Sequence, residues 1–156
     1  VVPALMVALE SSASDDVTRA RALNGLTGIL SIRSKELLPY IIPRLIEAPI
    51  TSNHAKALGS IAGVTGGTIH FHFNSIIPAL MNDLANQSDD DTDREGDVRE
   101  CVRSLFENAD EAGVNWLVSE IASKSSSDKA EMRRESCWML ETVIVERKFF
   151  QARRCI

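Results

Sequence analysis

The densest set of potential ligands in the chain is the run DDDTDREGDVRE, in which Asp89, Asp91, Asp93 and Glu100 occupy positions one, three, five and twelve of a calcium-binding loop. Oxygen donors at that spacing can wrap a hard cation, but the sixth position calls for a glycine at a sharp turn and here holds Arg94. Moving the frame by two residues places Gly96 at the turn and Val98 at the usual apolar position, and then Val102 stands where the bidentate glutamate belongs. Neither frame is complete. The run reads better as an acidic connection that leads into a helix, whose first turn favours carboxylates through the helix dipole.

Other chemistry also lacks a component. His70 and His72 flank Phe71 and offer two imidazoles, yet no third metal ligand stands at a spacing that closes a site, and His54 belongs to a different segment. The glycines of GVTGGT (Gly63 to Thr68) resemble those of a phosphate loop, but the Lys-Ser/Thr pair that reaches phosphate and magnesium is missing, so this segment is expected to end a helix. Cys101, Cys137 and Cys155 are widely separated and without C-x-x-C spacing, which suggests neither a disulfide framework nor a zinc site and fits a reducing, cytoplasmic setting. No serine sits in a G-x-S-x-G elbow and no cysteine has a base assigned to it. The chain is therefore expected to be a non-enzyme with no cofactor and no metal.

What remains is charge. Arg19, Arg21, Lys56, Arg99, Arg103, Arg133 and Arg134 recur at comparable places in successive helical segments, and stacking those segments would align them as a ladder. A ladder of this kind can meet acidic protein or RNA phosphate. It can equally be consumed by neighbouring Asp and Glu across repeats, as Asp97 beside Arg99 suggests. A second basic group, Arg147, Lys148, Arg153 and Arg154, surrounds Phe149 and Phe150. Arginine beside an aromatic ring can stack RNA bases, although paired phenylalanines are more economically the core of a following hairpin.

The elements that must position these residues show as an internal repeat. An apolar-Pro-x-Leu string appears as VPAL, IPRL and IPAL, with Pro3, Pro43 and Pro78 at steps of 40 and 35 residues, and NWLVSEI continues it without proline, Leu117 standing 37 residues after Leu80. Such periods match HEAT and armadillo arrays. Each string precedes a helix-spaced apolar face: Ala22, Leu23, Leu26, Ile29 and Leu30; then Val98, Val102, Leu105, Phe106 and Ala109; then Met132, Ser136, Met139, Leu140 and Val143, with Ser136 the small polar exception. Pro43 and Pro78 are expected inside or at the first turn of the first helix of their hairpins. Gly59 and Gly63, both in AKALGSIAG, are expected to permit close helix contact. Asp15 and Asp16 precede a helix, Thr92 and Glu95 have capping-box spacing, and Ala48-Pro49 and Gly66-Gly67 close helices. The only candidate strand, TIHFHF, reads as loop or helix start.

Composition agrees. With 44% hydrophobic residues against 25% charged, the chain must bury a core, and an aromatic share of 5% makes that core aliphatic. No apolar run approaches the roughly 20 residues of a membrane helix, and a net charge of −5 argues against global coating of nucleic acid while leaving room for a local basic stripe. The opening VVPALMVALE has no initiator Met and reads like the middle of a helix, so the chain is expected to be a fragment of a longer array. The expected architecture is all-α, a HEAT/armadillo-type α-solenoid of about four helical hairpins at approximately 1–33, 34–67, 68–111 and 112–148, with 149–156 beginning a truncated next repeat.

At this level of detail one string is more specific than the repeat. LLPYIIPRLIEAPITSNHAKALGSIAGVTGG (Leu37 to Gly67), followed by IIPALMNDLAN, resembles the general amino-acid control activator family, the large HEAT-repeat translational activators of the kinase that phosphorylates initiation factor two alpha. The resemblance is strongest over Leu37 to Asn86, while the flanks agree in repeat style and the acidic stretch Gln87 to Asp97 departs from it. It implies a long cytoplasmic solenoid with the ribosome, the kinase and an ATP-binding-cassette protein as partners, acting in the amino-acid starvation response. Two other readings stand beside it: a generic HEAT protein-binding scaffold, such as a phosphatase subunit or transport carrier, and a calcium-responsive module through Asp89 to Glu100.

Overall fold

Aliphatic residues at helical spacing dominate the chain, and helices are what they form. A computed structural model describes residues 1–11, 15–87 and 91–154, the part from 148 onward by its backbone alone. Among the described residues there is no strand, and the helices are α1 (Val2–Glu10), α2 (Asp16–Leu45), α3 (Ser52–Thr65), a 3-10 helix (Gly66–His72), α4 (Phe73–Ala85), α5 (Thr92–Glu107), α6 (Glu111–Lys124) and α7 (Ala130–Arg154). None is long and apolar enough to cross a membrane.

Helix starts carry side-chain caps where short polar residues allow them. Asp15, Thr51, Asp91 and Asp110 accept hydrogen bonds from the backbone N–H of Thr18, His54, Arg94 and Gly113, each three residues on. For α5 this corrects the expected capping box: the cap is Asp91, Thr92 is the first helical residue, and Glu95 pairs with Arg99 instead of reaching back. The end of α3 lies at the glycine pair, where Gly66 takes a φ of 52° that favours glycine. TIHFHF then forms most of the 3-10 helix and the first residue of α4.

The long α2 bends where two of the apolar segments join. Arg33 leaves helical geometry (φ −128°, ψ 41°), so the helix turns a corner without an intervening loop. Pro39 and Pro43 lie beyond that bend in the helix interior, and Pro78 sits inside α4. Each lacks the N–H of an interior hydrogen bond, so a first-turn position holds only for Pro3.

The helices stack in two rows. Of the helices that follow the repeat string, α3 packs on α5 and α5 on α7, while the start of α2 borders α3; on the other side α1 packs on α2, α6 on α7, and the 3-10 helix touches α2, α3, α4 and α6. The core runs through the whole stack as one layer of Leu, Ile, Val, Ala and Met, with Leu30, Leu38, Leu45, Leu58, Ile61, Ile76, Val102 and Leu117 fully buried. Truncating such a residue to alanine costs about 2–5 kcal/mol. The expected faces are the buried ones, since Ala22, Leu26, Leu30, Val98, Val102, Leu105, Phe106, Met139 and Val143 all lie in the core. Ser136 is buried as well, its hydroxyl donating to the Met132 carbonyl at 2.7 Å.

Polar links pin the stack where helices meet. Arg94 at the start of α5 donates two bonds to the Asp83 carboxylate of α4, at 2.6 and 2.7 Å, and a third from Nε to the Ile50 carbonyl at 2.6 Å. Asp83 also accepts from the Ile50 N–H at 3.2 Å. One buried ion pair thus holds α4, α5 and the turn before α3 together. Of the two glycines of α3, only Gly59 faces a partner helix: a Cβ there would lie 3.6 Å from the Cys101 Cα, whereas one at Gly63 would meet open space.

Candidate functional site

The row of α2, α3, α5 and α7 carries the basic residues, and their geometry divides them. Lys56 of α3 reaches Asp97 of α5 at 3.2 Å and also borders a crevice with Asp16, Arg19 and Asn53. Arg19 pairs with Asp16 on its own helix. Arg99 meets Glu95 at 2.7 Å and, across to α7, Glu135 at 3.1 Å. Arg103 pairs with Glu100 at 3.0 Å, and Arg134 with Glu135 at 3.1 Å. Arg133 is spent on the turn before α7, donating to the carbonyls of Ser127 and Asp128 at 2.7 and 3.0 Å. Arg21 is exposed and borders neither crevice of this row. Lys56, Arg99, Arg103 and Arg134 therefore lie, each paired with a carboxylate, in a charge-alternating strip across α3, α5 and α7, and Arg21 and Arg133 stand outside it. The partner of Asp97 is Lys56, not its sequence neighbour Arg99.

The centre of that strip is Glu135, only 1% exposed. A carboxylate so deep requires cations close by, and Arg99 and Arg134 supply them. Burial works against the Arg99 charge, but its hydrogen bonds to Glu95 and Glu135 outweigh burial and hold its pKa above the ordinary value. The Arg99 guanidinium also lies 4.3 Å from the Trp138 ring centre, with Arg103 at 6.0 Å, an arrangement in which the ring face attracts both cations. Sequence reading passed over Glu135 and Trp138. The signal was present in the register, because Glu135 stands three residues after Met132 and four before Met139, on the face that must be buried.

Between α3 and α5 lies a furrow of about 430 Å³, lined by Ala55, Lys56, Gly59 and Ser60 on one side and Asp97, Glu100, Cys101 and Ser104 on the other. Burial pushes the Cys101 thiol up to about 12, so it stays protonated and serves as packing, which is unlike an activated nucleophile.

The remaining candidates take structural positions. Among the described residues no group of His, Cys, Asp or Glu is gathered closely enough to hold a metal ion. Asp91 caps α5, Asp93 and Glu95 lie in its first turn, and Arg94 is committed to Asp83; Asp89 lies outside the described residues. His70 Nδ1 lies 3.0 Å from Asp110, and burial lowers the pKa of both His54 and His72. Of the second basic group, Arg147 lines a narrow crevice with Phe106, Val114 and Val143, while the side chains of Lys148, Phe149, Phe150, Arg153 and Arg154 lie outside the described residues, as does Cys155.

Comparison with known proteins supplies what geometry alone does not. The model for the HEAT repeats of stalled ribosome sensor GCN1-like proteins matches residues 37–153. The chain is 34% identical over 133 residues to the eIF-2-alpha kinase activator GCN1 of Saccharomyces cerevisiae, covering 85% of the chain and 5% of that relative. It is 33% identical over 125 residues to Protein ILITYHIA of Arabidopsis thaliana (80% of the chain, 4% of the relative) and 24% identical over 140 residues to the human stalled ribosome sensor GCN1 (90% and 5%). The chain thus spans about one-twentieth of the length of these relatives. No solved structure matches it.

Proposed function

The chain belongs to the GCN1-like HEAT-repeat family, and on that premise we propose that it is a non-catalytic scaffold segment of a large translation-associated protein that binds ribosomes and helps activate the stress-responsive initiation-factor-two-alpha kinase. The family match over residues 37–153 carries this reading, together with relatives that are named for sensing stalled ribosomes and for activating that kinase. A stack whose second helices are tied by paired charges suits such a role, because it keeps surfaces at fixed separations. On the same reading the protein is cytoplasmic, engages an ATP-binding-cassette partner, and is organised here as four hairpins, about 1–33, 34–67, 68–111 and 112–148, with 149–156 opening the next.

The basic strip is the proposed ribosome contact. Arg99 is the wrong residue to probe it, since reversing its charge would strand the buried Glu135. Arg134 is excluded for the same reason, whereas Lys56 and Arg103 are exposed, and their partners Asp97 and Glu100 keep contact with water, so these two can be reversed without that damage. Co-sedimentation of the full-length protein with ribosomes should become weaker, with a shallower salt dependence, in the Lys56→Glu, Arg103→Glu variant. Unchanged sedimentation across a salt series removes these residues from the contact.

A further inference from the structure

We propose that the junction of α1, the end of α2 and the start of α3 is an acid-released latch: when the His54 imidazole takes up a proton, α1 lets go of the stack while the helices beyond it stay packed. Such a latch operates whether or not the chain meets a ribosome.

The junction has two parts. One is an ion pair: Arg44, near the end of α2, donates to Glu10, the last residue of α1, at 2.6 Å and across 34 residues of chain. The two side chains are 41% and 26% exposed, so water weakens the pair. The other part is His54, in the first turn of α3 behind the Thr51 cap. Its Nδ1 is buried and, among the described residues, has no hydrogen-bond partner. The charges that act on the ring come from both neighbours, Glu10 of α1 and Arg44 and Glu47 of α2 and the turn after it. Burial is the largest influence and lowers the pKa of His54; the carboxylates of Glu10 and Glu47 work against burial, and Arg44 works with it.

Protonation changes what the ring requires. A neutral imidazole carries one N–H and can keep it on Nε2, leaving Nδ1 as an acceptor, whereas the imidazolium carries an N–H on both nitrogens. In the packed junction the Nδ1–H of the charged ring meets no acceptor, and its charge is held away from water. The packed state is then disfavoured against any state that hydrates the ring. The opened junction holds an imidazole with the ordinary value of 6.5 and the closed one a lower value, so closure is fully favoured above pH 6.5 and gives way as the pH falls through the folded value.

Of the helices around His54, α1 is the lightly held one. It has nine residues, no side-chain cap, and only Met6 and Leu9 buried, and it packs on α2 and α3. By contrast α3 buries Ala55, Ala57, Leu58, Ile61, Ala62 and Thr65 and packs on α5 as well as α2. Local opening follows the elements with the fewest buried apolar contacts, so the strain of a charged His54 is relieved by α1 moving away and not by α3 leaving the core.

The test is hydrogen–deuterium exchange of the full-length protein, read by mass spectrometry and corrected for the intrinsic pH dependence of exchange, at about pH 7.5 and about pH 5.5, on either side of the ordinary histidine value. Peptides covering Val2–Glu10 should lose protection severalfold at the lower pH, while those covering α3 and α5 keep theirs. In His54→Gln the protection of α1 should equal that of the unaltered protein at the higher pH, which reports an intact fold, and should stay there at the lower pH; His54→Leu takes its place if glutamine lowers protection at the higher pH. His72→Gln, on the 3-10 helix, should leave the acid-induced fall in place. No fall at α1 in the unaltered protein, a fall shared equally by all the helices, or an equal fall in a folded His54 variant would each overturn the proposal.

Discussion

Asp83→Asn removes a negative charge from a largely enclosed ion pair that joins separate helices. The Asp83 side chain is 6% exposed and that of Arg94 18%, and the two share bonds of 2.6 and 2.7 Å. Removing one member of a buried pair costs about 3–5 kcal/mol, because the surviving charge loses its partner without regaining full hydration. Two features lower the figure here. Asparagine still offers an oxygen to the Ile50 N–H, and Arg94, exposed by nearly a fifth, recovers part of its hydration. The expected loss is about 2–3 kcal/mol, a fall in melting temperature of about 5–10 °C for a chain of this size. Urea denaturation followed by circular dichroism measures it, with Glu100→Gln as the exposed-pair control at about 0.5 kcal/mol or less. A double-mutant cycle with Arg94→Met should return a coupling of about 1–3 kcal/mol. Equal midpoint shifts for Asp83→Asn and Glu100→Gln, or no coupling in the cycle, would refute the assignment of this pair as the clasp between α4, α5 and the turn before α3.

Two further outcomes follow from burial of titratable groups. Burial lowers the pKa of His54 and His72 below the ordinary value of 6.5, so the unfolded chain takes up protons first as the pH falls. Stability from these residues is full above pH 6.5 and is lost as the pH drops through the folded values; urea midpoints at neutral and mildly acidic pH should show the loss, and His54→Gln should reduce it, whereas an identical pH slope in the variant would count against the mechanism. Cys137 is exposed and Cys101 buried with its thiol pushed up to about 12, so a thiol reagent at mildly alkaline pH should label Cys137 in the native chain and Cys101 only after unfolding. Peptide mapping by mass spectrometry that finds Cys101 labelled at the rate of Cys137 contradicts that burial.

Periodicity carried most of the fold because a helix commits its side chains by spacing alone. The positions read as apolar faces, such as Val98, Val102, Leu105 and Phe106, are buried for the simple reason that residues three and four apart share one side of a helix. The same regularity concealed what breaks it. Nothing in SIRSKELL marks Arg33 as a corner, because the bend involves neither glycine nor proline at that residue. The cap of α5 was misplaced by one residue because Asp91 and Thr92 are both good caps, and the bond to Arg94 N–H chose between them.

The all-α class, the repeat, the aliphatic core and, through Leu37 to Asn86, the family are legible in residue type and spacing alone. Which charges face solvent and which hold helices together emerges from the packing of the helices. Arg94, Arg99 and Arg103 are the same residue type at neighbouring positions of one helix, yet one clasps Asp83, one neutralises the buried Glu135 against Trp138, and one stands in solvent beside Glu100. The physical reason is that an ion pair depends on distance and burial across helices far apart in the chain, such as Arg99 to Glu135 over 36 residues, and no local pattern encodes that separation.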